Sequence, residues 1–479
     1  MDTEAIAGLK SRLAAFLALF GDCFGRREPA GHLRTYVSGQ LSDLPRKSIE
    51  PIALNFQTAP RTLQQFLSAA HWDHGRMRDR LQQHVVARWS HREAIGILDE
   101  TSYRKKGTKT PGVKRQYCGA LGKQDNCAVT VHLAYAAPGG FRALLDGDLF
   151  LPQDWSADRP RCREAGIPDT LGYRPKWQIC LELRDRAVAN GVVLPWLTFD
   201  EGYGNTPEFH AGLNQRGQLY VGEVPCNFYG WCKPPAPLLK DHHAPAGPEP
   251  HDPARRSKVK GLPASRVDDL VTYSPVFRKQ AWERFYIKDS TKGPLVWEAK
   301  KAPFWISSAG VPGRPQTLIV ARNVLDLAEI KYFVSNAPAN TPLAELLRVG
   351  FGRYPIERCF EDDKTEIGLD HFEVRNYRSL LRHLILSAVS LLFLAQVRHE
   401  DGGKKYGTDG LSDSHGRQRD DPVRILNAHG PQSLSGTTGR SSHPHATPQC
   451  HRTQESSQGH LTQAPPTGHQ TDLFATLSA

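Results

Sequence analysis

The sequence predicts a mixed α/β fold, with a helical region leading into a sheet-forming core, from three observations. Apolar residues recur at intervals of three and four near the N-terminus. Short apolar runs of strand length replace them from residue 93. Helical periodicity then returns near Pro342 and continues, with one break, to about His399.

In the first region Ile6, Leu9, Leu13, Phe16 and Phe20 form one apolar face. A second helix is expected near Pro60, with Leu63, Phe66 and Leu67 inward and Arg61, Gln64 and Gln65 outward. Residues 46–54 read as the first member of a helix-turn-helix-like pair. Arg and Gln on the second helix suit phosphates and base edges; the other reading is a solvated polar face. Ala94–Leu98 reads as a central buried strand ended by Asp99. Residues 116–121, 128–135 and 141–150 are strand-like, with a turn at 122–126. A helix is expected over 176–190, then an apolar strand over 192–199 ended by Asp200. The Pro- and His-rich stretch 233–262 reads as a loop, and 270–335 as strands rich in aromatics.

These patterns divide the chain into helical 1–90, sheet-forming 91–220, β-rich 221–335, helical 336–400 and a polar tail, 401–479, too poor in periodic apolar residues to pack. The 61 Lys and Arg against 50 Asp and Glu leave a formal charge of +11, which points to a polyanionic partner. The tail contributes none of it, since it holds seven of each sign. The acidic start, Met1-Asp2-Thr3-Glu4, argues against a signal peptide. The most apolar run, Leu384 to Val397, is too short to span a bilayer, so no membrane role is expected. Nine cysteines without a CxxC pair fit a reduced, cytoplasmic protein.

Asp99 and Asp200 each follow a buried run and precede a polar stretch. On adjacent strands their carboxylates would share one sheet edge, and paired carboxylates call for a cation such as Mg²⁺. The alternative is that each caps a loop or helix. Arg353, Glu357 and Lys364, spaced by four and seven, fall near one face of a helix beginning around Pro355. Alone, that set also fits a surface ion-pair ladder. Cys226, Cys232, His242 and His243 offer an irregular zinc set, and Asp146 and Asp148 read as part of a turn.

Together, Asp99, Asp200 and Glu357 resemble the Asp-Asp-Glu triad of bacterial insertion-sequence transposases with a ribonuclease-H-like core. The Arg353, Glu357, Lys364 spacing resembles the Arg-Glu-Lys signature of a cut-and-paste group, as does the stretch Gly368 to Arg375 followed by Arg382-His383. The tyrosine of that signature would fall at Gly350. The resemblance runs from about Phe24 to Val397. It implies a ribonuclease-H-like mixed-sheet catalytic core interrupted by a β-rich insertion and preceded by an α-helical DNA-binding region. It further implies cutting and joining of DNA by two-metal phosphoryl transfer, with Asp99, Asp200 and Glu357 holding two Mg²⁺ ions and Mn²⁺ as a substitute. Arg353 and Lys364 would hold phosphates, and Arg61, Gln64, Trp282 and Trp297 would contact DNA, with Trp305 a further candidate. The implied partners are double-stranded DNA, as terminal inverted repeats and target, and a second copy of the chain as a homodimer on DNA, at the bacterial nucleoid. Two other readings share these residues: an inactive end-binding descendant, and another metal-dependent nuclease of the same fold.

Overall fold

A computed structural model of the chain describes residues 3–238, 258–260, 263–290 and 293–400. The polar tail and His242 and His243 of the zinc option lie outside the described residues.

Five helices open the chain: α1 (Thr3–Ala18), α2 (Arg27–Gln40), α3 (Ile49–Asn55), α4 (Pro60–Ser68) and α5 (His74–Trp89). Helix α4 starts where the sequence places it, with Pro60 in the first turn, and buries Leu63, Phe66 and Leu67. Ile52 and Ala53 of α3 close on Leu63 of α4 as a small apolar cluster.

The sheet follows: β1 (Ile95–Arg104), β2 (Lys114–Cys118), β3 (Lys123–Ala136) and β4 (Arg142–Phe150). Short helices α6 (Gln153–Ala157) and α7 (Arg159–Glu164) lead to α8 (Lys176–Ala189). Then come β5 (Trp196–Phe199), α9 (Glu201–Gly204), α10 (Pro207–Gln215) and β6 (Tyr220–Val224). The order β4-β3-β1-β5-β6 makes an antiparallel meander continued by two strands parallel to β1. Helix α8 supplies the crossover between β4 and β5 that parallel pairing requires. This mixed sheet is consistent with a ribonuclease-H-like fold.

Three expectations change here. Asp99 does not end its strand: β1 continues to Arg104, paired with β3 over its whole length. The turn between β2 and β3 lies at 119–122, not 122–126, because Lys123 already pairs with Cys118. Asp146 and Asp148 are not in a turn but inside β4, both buried, where Arg186 donates to Asp146 at 2.9 Å and Arg174 to Asp148 at 3.2 Å. Those ion pairs hold β4 to α8 and the chain before it.

Beyond β6 the same sheet is extended. The strands are β7 (Tyr229–Trp231), β8 (Ala236–Leu238), β9 (Lys258–Lys260) and β10 (Ser265–Arg266), then helices α11 (Val267–Tyr273) and α12 (Pro275–Arg278). Strands β11 (Glu283–Ser290), β12 (Gly293–Ser308), β13 (Val311–Asn323) and β14 (Ile330–Ser335) complete it, β14 lying against β6. Strands β8 and β9 pair apart from the main sheet.

The described residues end in α13 (Leu343–Gly350), α14 (Tyr354–Asp362), a π-helical turn at Asp363–Ile367 and α15 (Tyr377–Glu400). Helix α15 is long and apolar enough to cross a membrane, but it is mostly buried, packed against α2, α4, α5 and β4. Several of its polar residues find partners inside the protein. His383 takes a hydrogen bond partner on each ring nitrogen, the Tyr36 hydroxyl and the Leu369 carbonyl, both at 2.9 Å. Gln40 donates to Ser387 and accepts from Ser390, each at 2.8 Å. Such a ladder inside an apolar interface fixes the register of α2 on α15.

Candidate active site

Pairing of β1 with β5 runs in parallel register from Ile95 opposite Trp196 to Leu98 opposite Phe199. The next residues are Asp99, still within β1, and Asp200, just past the end of β5. Their backbones are therefore neighbours, about 5 Å apart at strand spacing, at the carboxyl edge of the parallel strands. That edge is where an open α/β sheet presents its chemistry.

Each aspartate is held locally. Asp99 is buried; its Oδ1 accepts the Glu100 amide at 2.8 Å and its Oδ2 accepts Arg353 Nη1 at 2.7 Å. Asp200 caps α9 and accepts the Tyr203 amide at 3.2 Å. The turn is tight because Gly204 lies against β6. A Cβ there would come within 1.8 Å of the Glu223 carbonyl oxygen, which is backbone and cannot give way. Gly204→Ala should therefore cost about 2–3 kcal/mol and displace Asp200. Denaturant unfolding of the variant checks this, and a loss below about 0.5 kcal/mol contradicts it.

Helix α14 brings the third group. Arg353 Nη2 pairs with Glu357 Oε1 at 2.7 Å while Nη1 holds Asp99, so one guanidinium joins the helix to the strand. Lys364, further along, stands 5.8 Å from the Tyr103 ring and feels Asp370. Tyr103 is on the same face of β1 as Asp99 but four residues on. Arg353 ends the 3-10 turn before α14, Glu357 lies in its first turn and Lys364 in the π-helical turn after it; Arg353 meets β1 at Asp99 and Lys364 at Tyr103. Ile356 and Phe360 form the packing side, as their spacing predicts.

The electrostatics are those of crowded acids. Burial, and then the neighbouring Asp200, push the Asp99 carboxyl up to about 7 against the pull of Arg353. Burial also raises Asp200, with Glu100 and Glu223 adding to it. Burial opposes the charge on Arg353, but Asp99, Glu357, Asp200 and Glu223 outweigh it and raise its pKa. The single guanidinium is shared between two of the acids, so the cluster is short of positive charge. Hard oxygen donors in that state suit a divalent cation. No group of three or more His, Cys, Asp or Glu is gathered at metal-holding distance among the described residues, since Glu357 is turned to Arg353.

The other expected residues are scattered. Arg61 and Gln64 are exposed on α4. Trp282 is half-buried, its ring flanked by Lys300 Nζ at 4.5 Å and Arg322 Cζ at 4.1 Å. Trp297 is 2% exposed and packs on Phe351, 4.8 Å between ring centroids, so it has no surface on which to meet DNA. Its alternation on β12 turns it into the core. Trp305 is partly exposed next to Trp231. Gly350 is buried, and a Cβ there would come within 3.2 Å of Phe333 and Val221, leaving no room for a tyrosine. Tyr354 is half-exposed instead, with Lys288 Nζ 4.5 Å over its ring.

Two groups near the site escape the sequence reading. Glu100 accepts Lys176 Nζ at 2.6 Å and the Tyr203 hydroxyl at 3.3 Å, tying β1 to α8 and α9. The only signal for it is its position after Asp99. Lys288, from β11, reaches the neighbourhood of Glu357 through a strand pairing no local pattern announces.

Residues 19–294 match the family described as DDE superfamily endonuclease. The chain belongs to that family. Both aspartates lie inside the matched stretch of this DDE endonuclease, and Glu357 lies beyond it. The chain is also similar to a probable transposase for insertion sequence element IS701 from Microchaete diplosiphon, at 31% identity over 199 residues. That alignment covers 40% of this chain and 48% of the relative, so it spans about half the relative's length.

Proposed function

We propose that this DDE endonuclease is a DNA transposase, which cuts the ends of its element and joins them to target DNA with Asp99, Asp200 and Glu357 as the catalytic carboxylates. The observation that carries the reading is the register placing Asp99 beside Asp200 at one sheet edge, with the Arg353–Glu357 pair laid against them. The sequence similarity to an insertion-sequence transposase supports the choice of substrate.

Asp99 and Asp200 suit a divalent metal, Mg²⁺ with Mn²⁺ as substitute, and Glu357 would join them on leaving Arg353. When bound, a pair of such ions activates an attacking oxygen and stabilises the leaving one. The protein's own groups position the DNA. Arg353 offers a planar fork to a phosphate and Lys364 a point charge from the turn after α14. The β1 and β5 backbones fix the two aspartates, and Tyr203 and Gly204 fix the turn after the second. The exposed face of α4, with Arg61 and Gln64, is the candidate reader of the terminal inverted repeats, and Trp282 a candidate DNA contact. A homodimer on paired DNA ends completes the proposed assembly.

The test uses a supercoiled plasmid carrying the DNA that flanks the gene. Nicking at the element ends with Mg²⁺ or Mn²⁺, abolished by EDTA and restored by added metal, is the expected result. Binding of the ends without cutting under any of these conditions would show an inactive descendant and overturn the catalytic assignment.

A further inference from the structure

Residues 104–123 hold seven Lys and Arg and no Asp or Glu, against a whole-chain excess of +11. The segment comprises the end of β1, the loop after it, β2 and the turn into β3. Surface cations that serve only solubility are normally interspersed with acids; twenty residues without one are a different arrangement.

Some of these cations are occupied. Arg104 pairs with Asp125 at 3.2 Å, Lys109 with Glu164 at 2.6 Å and Lys114 with Asp154 at 3.2 Å. Lys105 donates to the Asp370 and Phe372 carbonyls and lies 3.5 Å over the Phe372 ring. Lys106, Arg115 and Lys123 are exposed, with no carboxylate at ion-pair distance among the described residues. Tyr117, two residues along β2 from Arg115, is 59% exposed.

The hairpin is anchored beside the candidate active site. The Ala120 amide donates to Ser102 Oγ at 3.1 Å, and Cys118 Sγ lies 3.4 Å from the same oxygen. Ser102 is three residues beyond Asp99 on β1, roughly 10 Å along the strand. Ser102 faces the side of β1 away from Asp99, so the turn packs under the strand, while Arg115 and Tyr117, opposite Asn126 and Gln124 on β3, fall by alternation on the Asp99 face. Like charges held together without counter-charges cost stability, and a polyanion at that position offsets the cost.

We propose that the β2–β3 hairpin and the loop before it form a backbone grip for duplex DNA. Lys106, Arg115 and Lys123 take phosphates of the duplex flanking the scissile bond, and Tyr117 lies against its sugar edge. This assignment rests on the reading of the site as a DNA-cutting centre.

The test measures binding of the full chain to a short labelled duplex of arbitrary sequence, and to one carrying the element end, over a salt series. The triple variant Lys106→Ala, Arg115→Ala, Lys123→Ala should reduce the slope of log affinity against log salt by about 2–3. Its affinity at moderate salt should fall about tenfold or more. The charge-conserving triple Lys106→Arg, Arg115→Lys, Lys123→Arg should keep both quantities. So should Arg92→Ala, an exposed residue just before β1 at the opposite edge. Unfolding midpoints of all variants should match the parent's. If the parent binds and cuts DNA and the triple alanine variant binds with the same slope and affinity, the hairpin assignment is wrong and the site reading stands. If the parent shows no salt-dependent binding to either duplex, both fall.

Discussion

Asp99→Asn is expected to lower DNA cleavage by about a thousandfold or more, the several kcal/mol that metal assistance supplies, without lowering the stability of the metal-free protein. The two halves come from one feature. Asp99 is buried beside Asp200 with a single shared guanidinium, and its carboxyl is pushed up to about 7, so its charged form is disfavoured where it stands. An amide of the same shape keeps an oxygen for the Glu100 amide and removes the buried charge. A carboxyl so perturbed by burial and a second acid marks a functional-site candidate. Thermal unfolding in chelator and nicking in Mg²⁺, on the same preparation, decide it. A variant that unfolds well below the parent would mean that Asp99 is a structural partner of Arg353 and little else.

The largest effect on stability is expected at Arg382→Ala, about 3–5 kcal/mol, the range for stripping a buried charged group from its partners. The Arg382 guanidinium, from α15, donates to the carbonyls of Phe66, Leu67, Ala70 and Trp72 at 2.8–3.2 Å and lies 4.4 Å over the Trp72 ring. Two of those carbonyls belong to the last turn of α4, which has no intrahelical partners for them. Burial lowers the Arg382 pKa to about 10, which still leaves it charged at neutral pH. Removal takes away the guanidinium donors to the Leu67 and Trp72 carbonyls, while those of Phe66 and Ala70 keep Trp72 Nε1 at 2.8 Å and the Trp72 amide at 3.1 Å. A buried acceptor left unpaired costs about 1–3 kcal/mol, and the packing on Trp72 is lost with it. Arg382→Lys should recover part of the loss, since one ammonium cannot span what the planar fork spans. Denaturant unfolding measures both, and a cost under about 1 kcal/mol for the alanine variant contradicts the account.

The legible parts of this chain were those governed by local periodicity. Pro60 and the spacing of Leu63, Phe66 and Leu67 gave α4; the apolar run before Asp200 gave β5, though only its last four residues pair. The Arg353–Glu357 spacing gave a contact the structure shows at 2.7 Å. What stayed hidden depends on partners far away in the chain. Asp146 and Asp148 read as a turn because acids rarely occupy a buried strand. They do so here because α8 and the chain before it bring arginines to them. Trp297 read as a DNA contact because side-chain direction in a strand follows from pairing, and β12 is aligned by β11 and β13 rather than by its own composition. The break in the C-terminal helices was visible, but not that Arg382 beyond it would clamp α4.

Asp99, Asp200 and Glu357 are proposed to act as one cutting centre. This assignment is tested most directly by cleavage of end-bearing DNA by the parent and by Asp99→Ala, Asp200→Ala and Glu357→Ala, with DNA binding measured in parallel. Each variant should bind the ends as the parent does and lose metal-dependent cleavage, and double variants should lose no more than single ones, as residues of one unit do. Cleavage that survives in Glu357→Ala at near the parental rate would contradict the assignment, and would leave Glu357 as no more than the ion-pair partner of Arg353.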